Sequence, residues 1–132
     1  MSRRELREQI FKLLFRIEFN NAEDMEEQKE LFFEDDENPA GEKDAAYIRE
    51  KYDCIAAKIS EIDESINEQA ECWTTARMGK VELTILRLAV YEIKFDENIP
   101  ASVAINEAVE LAKKFGQDGA ASFVNGVLSQ FA

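Results

Sequence analysis

Arg4, Arg7, Phe11 and Phe15 fall together when residues 2–20 are wound at 100° per residue, with Arg3 at the edge of the group. Guanidinium groups pair with phosphates and aromatic rings stack on unpaired bases. A helix face of this composition can therefore hold a short single strand of nucleic acid. The rings also suit a plainer purpose. Leu6, Ile10, Leu13, Leu14 and Ile17 form an apolar stripe beside them, and Phe11 and Phe15 would widen it. Periodicity alone leaves both readings open.

Few other residues offer chemistry. The 132-residue chain has no histidine. That removes the commonest general base, the Ser–His and Cys–His nucleophile pairs and the commonest metal ligand. The 28 acidic residues could work as carboxylate pairs, but most fall on solvent faces, where burial does not tune a pKa. No phosphate-binding glycine loop, nucleophile elbow or zinc spacing occurs. The run Asp35-Asp36-Glu37-Asn38 has the composition of a calcium loop, but Pro39 and the missing ligand spacing argue against one. Cys54 and Cys72 form no C-x-x-C unit and read as two reduced, packed thiols. The expectation is a protein that is not an enzyme, with no cofactor and no metal.

The formal charge of −12 opposes nonspecific contact with nucleic acid, but its distribution is uneven. Residues 1–19 carry five basic and three acidic groups; residues 20–72 carry five and 18; residues 73–132 carry six and seven. The only basic segment is therefore the first helix. The acidic middle reads either as a solvated face or as a surface for a basic partner. The longest apolar run is too short to span a bilayer, and the charged start lacks a signal-peptide core, so a cytoplasmic protein without membrane contact is expected.

Helices must position these groups. Ser2 and Glu5 have capping-box spacing at the start of the first one. Asn20 and Asn21 can end it and cap the next, a short helix within 22–34. Residues 35–43 form a loop. Ala45, Ile48, Tyr52, Ile55, Ile59, Ile62 and Ile66 make a helical stripe over 44–71, with a bend near Ser60. In the connector 72–79, Trp73 reads as a core plug over helix ends rather than a base-stacking ring. Residues 80–96 are apolar almost all round and belong at the centre of a bundle. Their polar stripe of Lys80, Thr84, Arg87, Tyr91 and Lys94 must reach solvent or a ligand. Pro100 suits the start of the next helix, Glu110 and Lys114 form an i,i+4 pair, Gly116 suits its C′ position, and Asp118 can cap a last helix. In that helix Phe123, Val124, Val127, Leu128 and Phe131 face inward.

The series ILRLAVYEI, Pro100, VAINEAVELAKKFG and FVNGVL, in this order and spacing, resembles the bacterial NusB antitermination family, and SRRELREQIFKLLF resembles that family's arginine-rich first helix. The resemblance covers residues 2–19 and 73–131; residues 20–72 match only in helical pattern. It implies an all-α fold, a compact bundle of about seven helices in two packed three-helix halves, forming one RNA-binding domain over 1–132. It also implies binding of boxA-type single-stranded RNA together with a small-subunit ribosomal protein acting as NusE. The complex helps RNA polymerase read through terminators, chiefly in ribosomal RNA operons.

By the same resemblance, Arg3, Arg4 and Arg7 contact phosphates and base edges, and Phe15 takes an aromatic position, usually tyrosine, against the RNA. Glu82 and Arg87 match polar positions near the RNA on the central helix, and Phe123 matches a ring that stacks on a base. Phe11 stays with the core. Glu5 stands where many members carry a third adjacent arginine, and Ser122 where some carry lysine, so RNA binding is expected to lean on the protein partner. A homodimer covering the arginines stays open. Two other readings compete: an acidic helical adaptor that binds protein and no RNA, and a detached relative of the helical domain joined to some ribosomal-RNA cytosine methyltransferases.

Overall fold

The computed structural model describes residues 1–35, 41–70 and 73–132. Among the described residues the chain forms seven α-helices and no strand. They fall into two compact units, Met1–Ala57 and Lys58–Ala132. The first holds three helices, as expected; the second holds four rather than three.

In the first unit, α1 (Arg3–Phe15) opens with the capping box. Glu5 N–H donates to Ser2 Oγ and Ser2 N–H donates to Glu5 Oε1, both at 3.1 Å. The helix then tightens into a 3-10 turn, Arg16–Phe19. Asn20 closes it backwards, its Nδ2 donating to Arg16 O at 2.8 Å, whereas Asn21 makes no side-chain cap bond to the turn that follows. Helices α2 (Met25–Glu34) and α3 (Glu42–Ala57) complete the unit. Its core is Ile10, Phe11, Leu13 and Leu14 of α1, Met25 and Phe32 of α2, and Ile48, Tyr52 and Ile55 of α3. Each such side chain contributes about 1.5–3 kcal/mol on burial. The expected packing of the thiols fails at Cys54, which lies on the exposed side of α3. Cys72 lies outside the described residues, as do Asp36, Glu37, Asn38 and Pro39 of the calcium-like run.

One cation is drawn inside. Lys29 is 6% exposed. Its Nζ is 2.9 Å from both Glu26 Oε1 and Asp53 Oδ1, and it sits 5.6 Å from the centre of the Tyr52 ring. A desolvated ammonium is costly unless paired, and one carboxylate from its own helix and one from α3 meet that need.

The second unit begins at Lys58, where the helical backbone breaks two residues earlier than the expected bend. Helix α4 (Ile59–Gln69) leads through a 3-10 turn, Thr75–Arg77, to α5 (Lys80–Phe95), α6 (Ala101–Phe115) and α7 (Ala120–Leu128). As expected, α5 is central: it packs on α4, α6 and α7. Its polar stripe, however, does not simply reach solvent. Thr84 and Tyr91 are buried, and Thr84 Oγ1 donates to Lys80 O at 2.7 Å. Arg87 Nε and Nη2 donate to the two carboxylate oxygens of Asp63 on α4, each at 2.9 Å. Only Lys80 and Lys94 are exposed, and Lys94 Nζ donates to Ser65 Oγ at 2.7 Å.

The caps of the last helices differ from expectation in instructive ways. Pro100 stands just before α6, as its N-cap. Gly116 is not left-handed (φ −92°); it is needed for closeness, because a Cβ there would lie 2.5 Å from Ala120 Cβ and 2.7 Å from Ala112 O. Gly119 rather than Asp118 caps α7, with φ 88°, a conformation open chiefly to glycine. Glu110 pairs with Lys113 at 3.4 Å. On α7, Val124, Val127 and Leu128 are buried while Phe123 stays half-buried, as does Phe131 in the 3-10 turn Ser129–Phe131 that follows.

Hydrogen bonding to Glu26 is the main cause that holds the Lys29 pKa above its ordinary value, against burial, with Asp53 adding to it. A raised folded-state pKa stabilises fully below the unfolded value of about 10.4, and that stabilisation is lost as pH rises through the folded value. Burial raises the Tyr52 pKa too, giving a loss of the same sign from about pH 10. Urea unfolding at rising alkaline pH is therefore expected to show both losses in the parent chain and only the Tyr52 part in Lys29→Met. At neutral pH, the double variant Glu26→Gln/Asp53→Asn should lose about 1–3 kcal/mol by stranding the ammonium. The Arg87 side chain is 12% exposed in its pair with Asp63. Arg87→Ala should accordingly cost about 1–3 kcal/mol in unfolding without any RNA present, and Arg87→Lys should recover little because the fork is lost.

Candidate nucleic-acid interface

In the first unit the candidate face runs along α1. Arg3 and Arg4 are exposed and Arg7 is half-buried. The Met1 ammonium pairs with Asp44 of α3 at 2.9 Å, which fixes the start of this basic helix. Glu5, the residue that lowers the local positive charge, is held by the cap. The hydrogen bond from the Ser2 backbone is the main cause that keeps its carboxyl below the usual range. Its acidity is thus tied to starting the helix that carries the arginines.

The two rings of the face part company. Phe11 is 4% exposed and belongs to the core, as its plainer reading had it. Phe15 is half-buried; it stacks on Phe11 with centroids 6.0 Å apart and meets Phe19 edge-on at 5.1 Å. Phe19 is 61% exposed. Three rings at four-residue steps therefore run from the interior to the surface. Phe19 was missed in the sequence because it lies in the 3-10 turn, beyond the regular stripe.

In the second unit the three candidate residues have different surroundings. Glu82 lies in the first turn of α5, where a carboxylate favours the positive end of the helix dipole. It folds back over Gly79, so that a Cβ at that glycine would collide with the carboxylate. Arg87 is committed to Asp63 as described. Phe123 is the surface ring. It meets Trp73 edge-to-face, with centroids 5.9 Å apart and planes at 82°.

Trp73 does not plug the interior as expected; it is 49% exposed. Backbone pinning explains this. Trp73 N–H donates to Ala70 O at 3.1 Å and Thr75 N–H donates to Asn67 Oδ1 at 2.8 Å, which holds the connector at the end of α4 and leaves the indole against Phe123.

The seven sequence candidates therefore fall into two sets. Arg3, Arg4, Arg7 and Phe15 share α1 of the first unit, and Glu82, Arg87 and Phe123 belong to the second. Among the described residues no group of three or more Cys, Asp and Glu side chains is arranged to hold a metal ion, and no helix is long and apolar enough to cross a membrane.

Comparison with known proteins gives this arrangement a family. The NusB family model matches residues 4–132. A transcription antitermination protein NusB of Agathobacter rectalis is 51% identical over 132 residues, covering 100% of both chains. Among solved structures, NusB of T. maritima is similar with a TM-score of 0.86 and 36% identity, over 100% of this chain and 91% of that one. Another neighbour was solved as antitermination factors NusB and NusE in complex with double-stranded RNA. It has a TM-score of 0.83 and 29% identity, over 98% of this chain and 94% of that one. With its fold, its basic first helix and its full-length matches in agreement, the chain belongs to the NusB family of transcription antitermination factors, which are binding proteins and not enzymes.

Proposed function

We propose that residues 1–132 act as one RNA-binding domain. It holds boxA-type single-stranded RNA together with a small-subunit ribosomal protein in the role of NusE, in the cytoplasm, so that RNA polymerase reads through terminators, chiefly in ribosomal RNA operons. One observation carries this reading. In a chain of charge −12, exposed Arg3 and Arg4 share a helix face with Arg7 and Phe15. The neighbour solved with NusE and double-stranded RNA supports NusE and RNA as the classes of partner; the preference for a single strand rests on the rings. In this reading the three arginines take phosphates and base edges, Phe15 lies along a base and Phe123 stacks on another. Glu82 and Arg87 are the polar groups of α5 near the strand, Arg87 with two of its donors held by Asp63.

A salt-dependent titration of labelled boxA-type RNA tests the reading. Arg3→Ala/Arg4→Ala/Arg7→Ala is expected to abolish binding while the circular-dichroism spectrum and melting point stay close to the parent's. Unchanged affinity would favour a protein-only adaptor. Each single arginine that meets a phosphate should lower the salt slope by about 0.7. With Glu5 and Ser122 in place of cations, the chain alone should bind weakly and the ribosomal protein should tighten binding markedly. Equal affinity with and without it would contradict the partner dependence. A duplex of the same sequence is the control, since stacking on Phe15 and Phe123 needs unpaired bases.

A further inference from the structure

Between α4, the connector and α7 lies an open groove of ≈ 350 Å³ whose described lining includes Gln69, Trp73, Ser122, Phe123, Gly126 and Gln130. We infer that this groove is a nucleobase subsite in which Trp73 and Phe123 form two walls at right angles around one unpaired base of the bound RNA; the inference rests on the function proposed above.

Three independent features point to that occupant. The first is the pair of rings. Tryptophan offers the largest stacking surface of any side chain, yet the only one in the chain is left half in solvent, its backbone hydrogen-bonded in place. A base entering the groove can stack on one ring and meet the other edge-on, the arrangements that aromatic quadrupoles favour.

The second is charge. In a chain with 28 acidic residues, the segments that carry the rings, 72–81 and 119–132, contain none. The first adds Arg77 and Lys80, both exposed. The described polar lining is neutral: the amides of Gln69 and Gln130 and the hydroxyl of Ser122 both donate and accept, as the edges of a base require. The described lining of the groove brings no carboxylate to the ligand; the Glu82 carboxylate next in sequence folds back over Gly79.

The third is Gly126. Glycine inside a helix is less favourable than alanine, so it normally answers to a close neighbour. A Cβ at Gly126 would meet nothing within 4 Å of the protein's own atoms. The space it leaves open belongs to the groove, and a ring lying there would come within reach of the α7 backbone.

The lone tryptophan supplies its own reporter. BoxA-type RNA is titrated into the parent chain, with and without the ribosomal protein, while RNA anisotropy and indole emission are read together. Quenching that tracks the anisotropy is the expected result. Trp73→Leu should weaken RNA binding on the order of tenfold, with Trp73→Phe recovering most of it. Gly126→Ala should raise the melting point while weakening RNA binding severalfold. Anisotropy that rises with unchanged indole emission, or Trp73→Leu and Gly126→Ala variants that fold and bind as the parent does, would overturn the subsite and leave the proposed function standing. Indole emission that changes on adding the ribosomal protein alone would assign the groove to a protein side chain and overturn it as well. No RNA binding in any combination would remove both.

Discussion

A chain that carries twelve excess negative charges and still holds a polyanion must solve a problem of local repulsion. At physiological ionic strength charges are screened beyond about 8 Å, so the total matters less than what lies beside the ligand. The solution is segregation. Eighteen of the acidic groups lie within residues 20–72, while the first helix is net basic and residues 119–132 carry no charge at all. Surface that is merely free of carboxylates can admit a polyanion as well as surface that is positive.

Segregation works only if the remaining cations are kept from scattering over the surface. Several are spent internally on rings and carboxylates. Arg16 Nη1 donates to Gln28 O at 3.1 Å and lies over the Phe32 ring; Arg49 lies over Phe33 and pairs with Glu30; Lys29 and Arg87 hold the partners described above. Among the described residues no buried side-chain nitrogen or oxygen lacks a partner, so the polar interior is closed. Packing and electrostatics thus divide the same side-chain type between two tasks, and position in the helix decides which.

Much of this was legible in the sequence because helical periodicity and capping are local. The Ser2–Glu5 cap, the apolar stripe of α1, the all-round apolar character of α5 and the order of the C-terminal motifs could all be read directly. What escaped reading depended on partners distant in sequence. Nothing near Arg87 announces that Asp63, 24 residues away, will take both of its donors. Nothing near Trp73 shows that pinned backbone will turn the indole outward onto Phe123. The glycines were misjudged for a related reason. Gly116 was valued for its freedom of φ, whereas what it supplies is room against Ala120, and the left-handed position belongs to Gly119. Phe19 was overlooked because stripe counting stops where the regular helix stops.

The stacked series Phe11, Phe15 and Phe19 spans the protein's inside and its outside with one continuous set of rings. A substitution at Phe15 therefore also touches how firmly α1 is anchored. A drift that trims the middle ring would lower the amount of folded protein in the cell before any defect in recognition became visible. The middle ring thus answers to the interior and the surface at once, a double constraint that neither would impose alone.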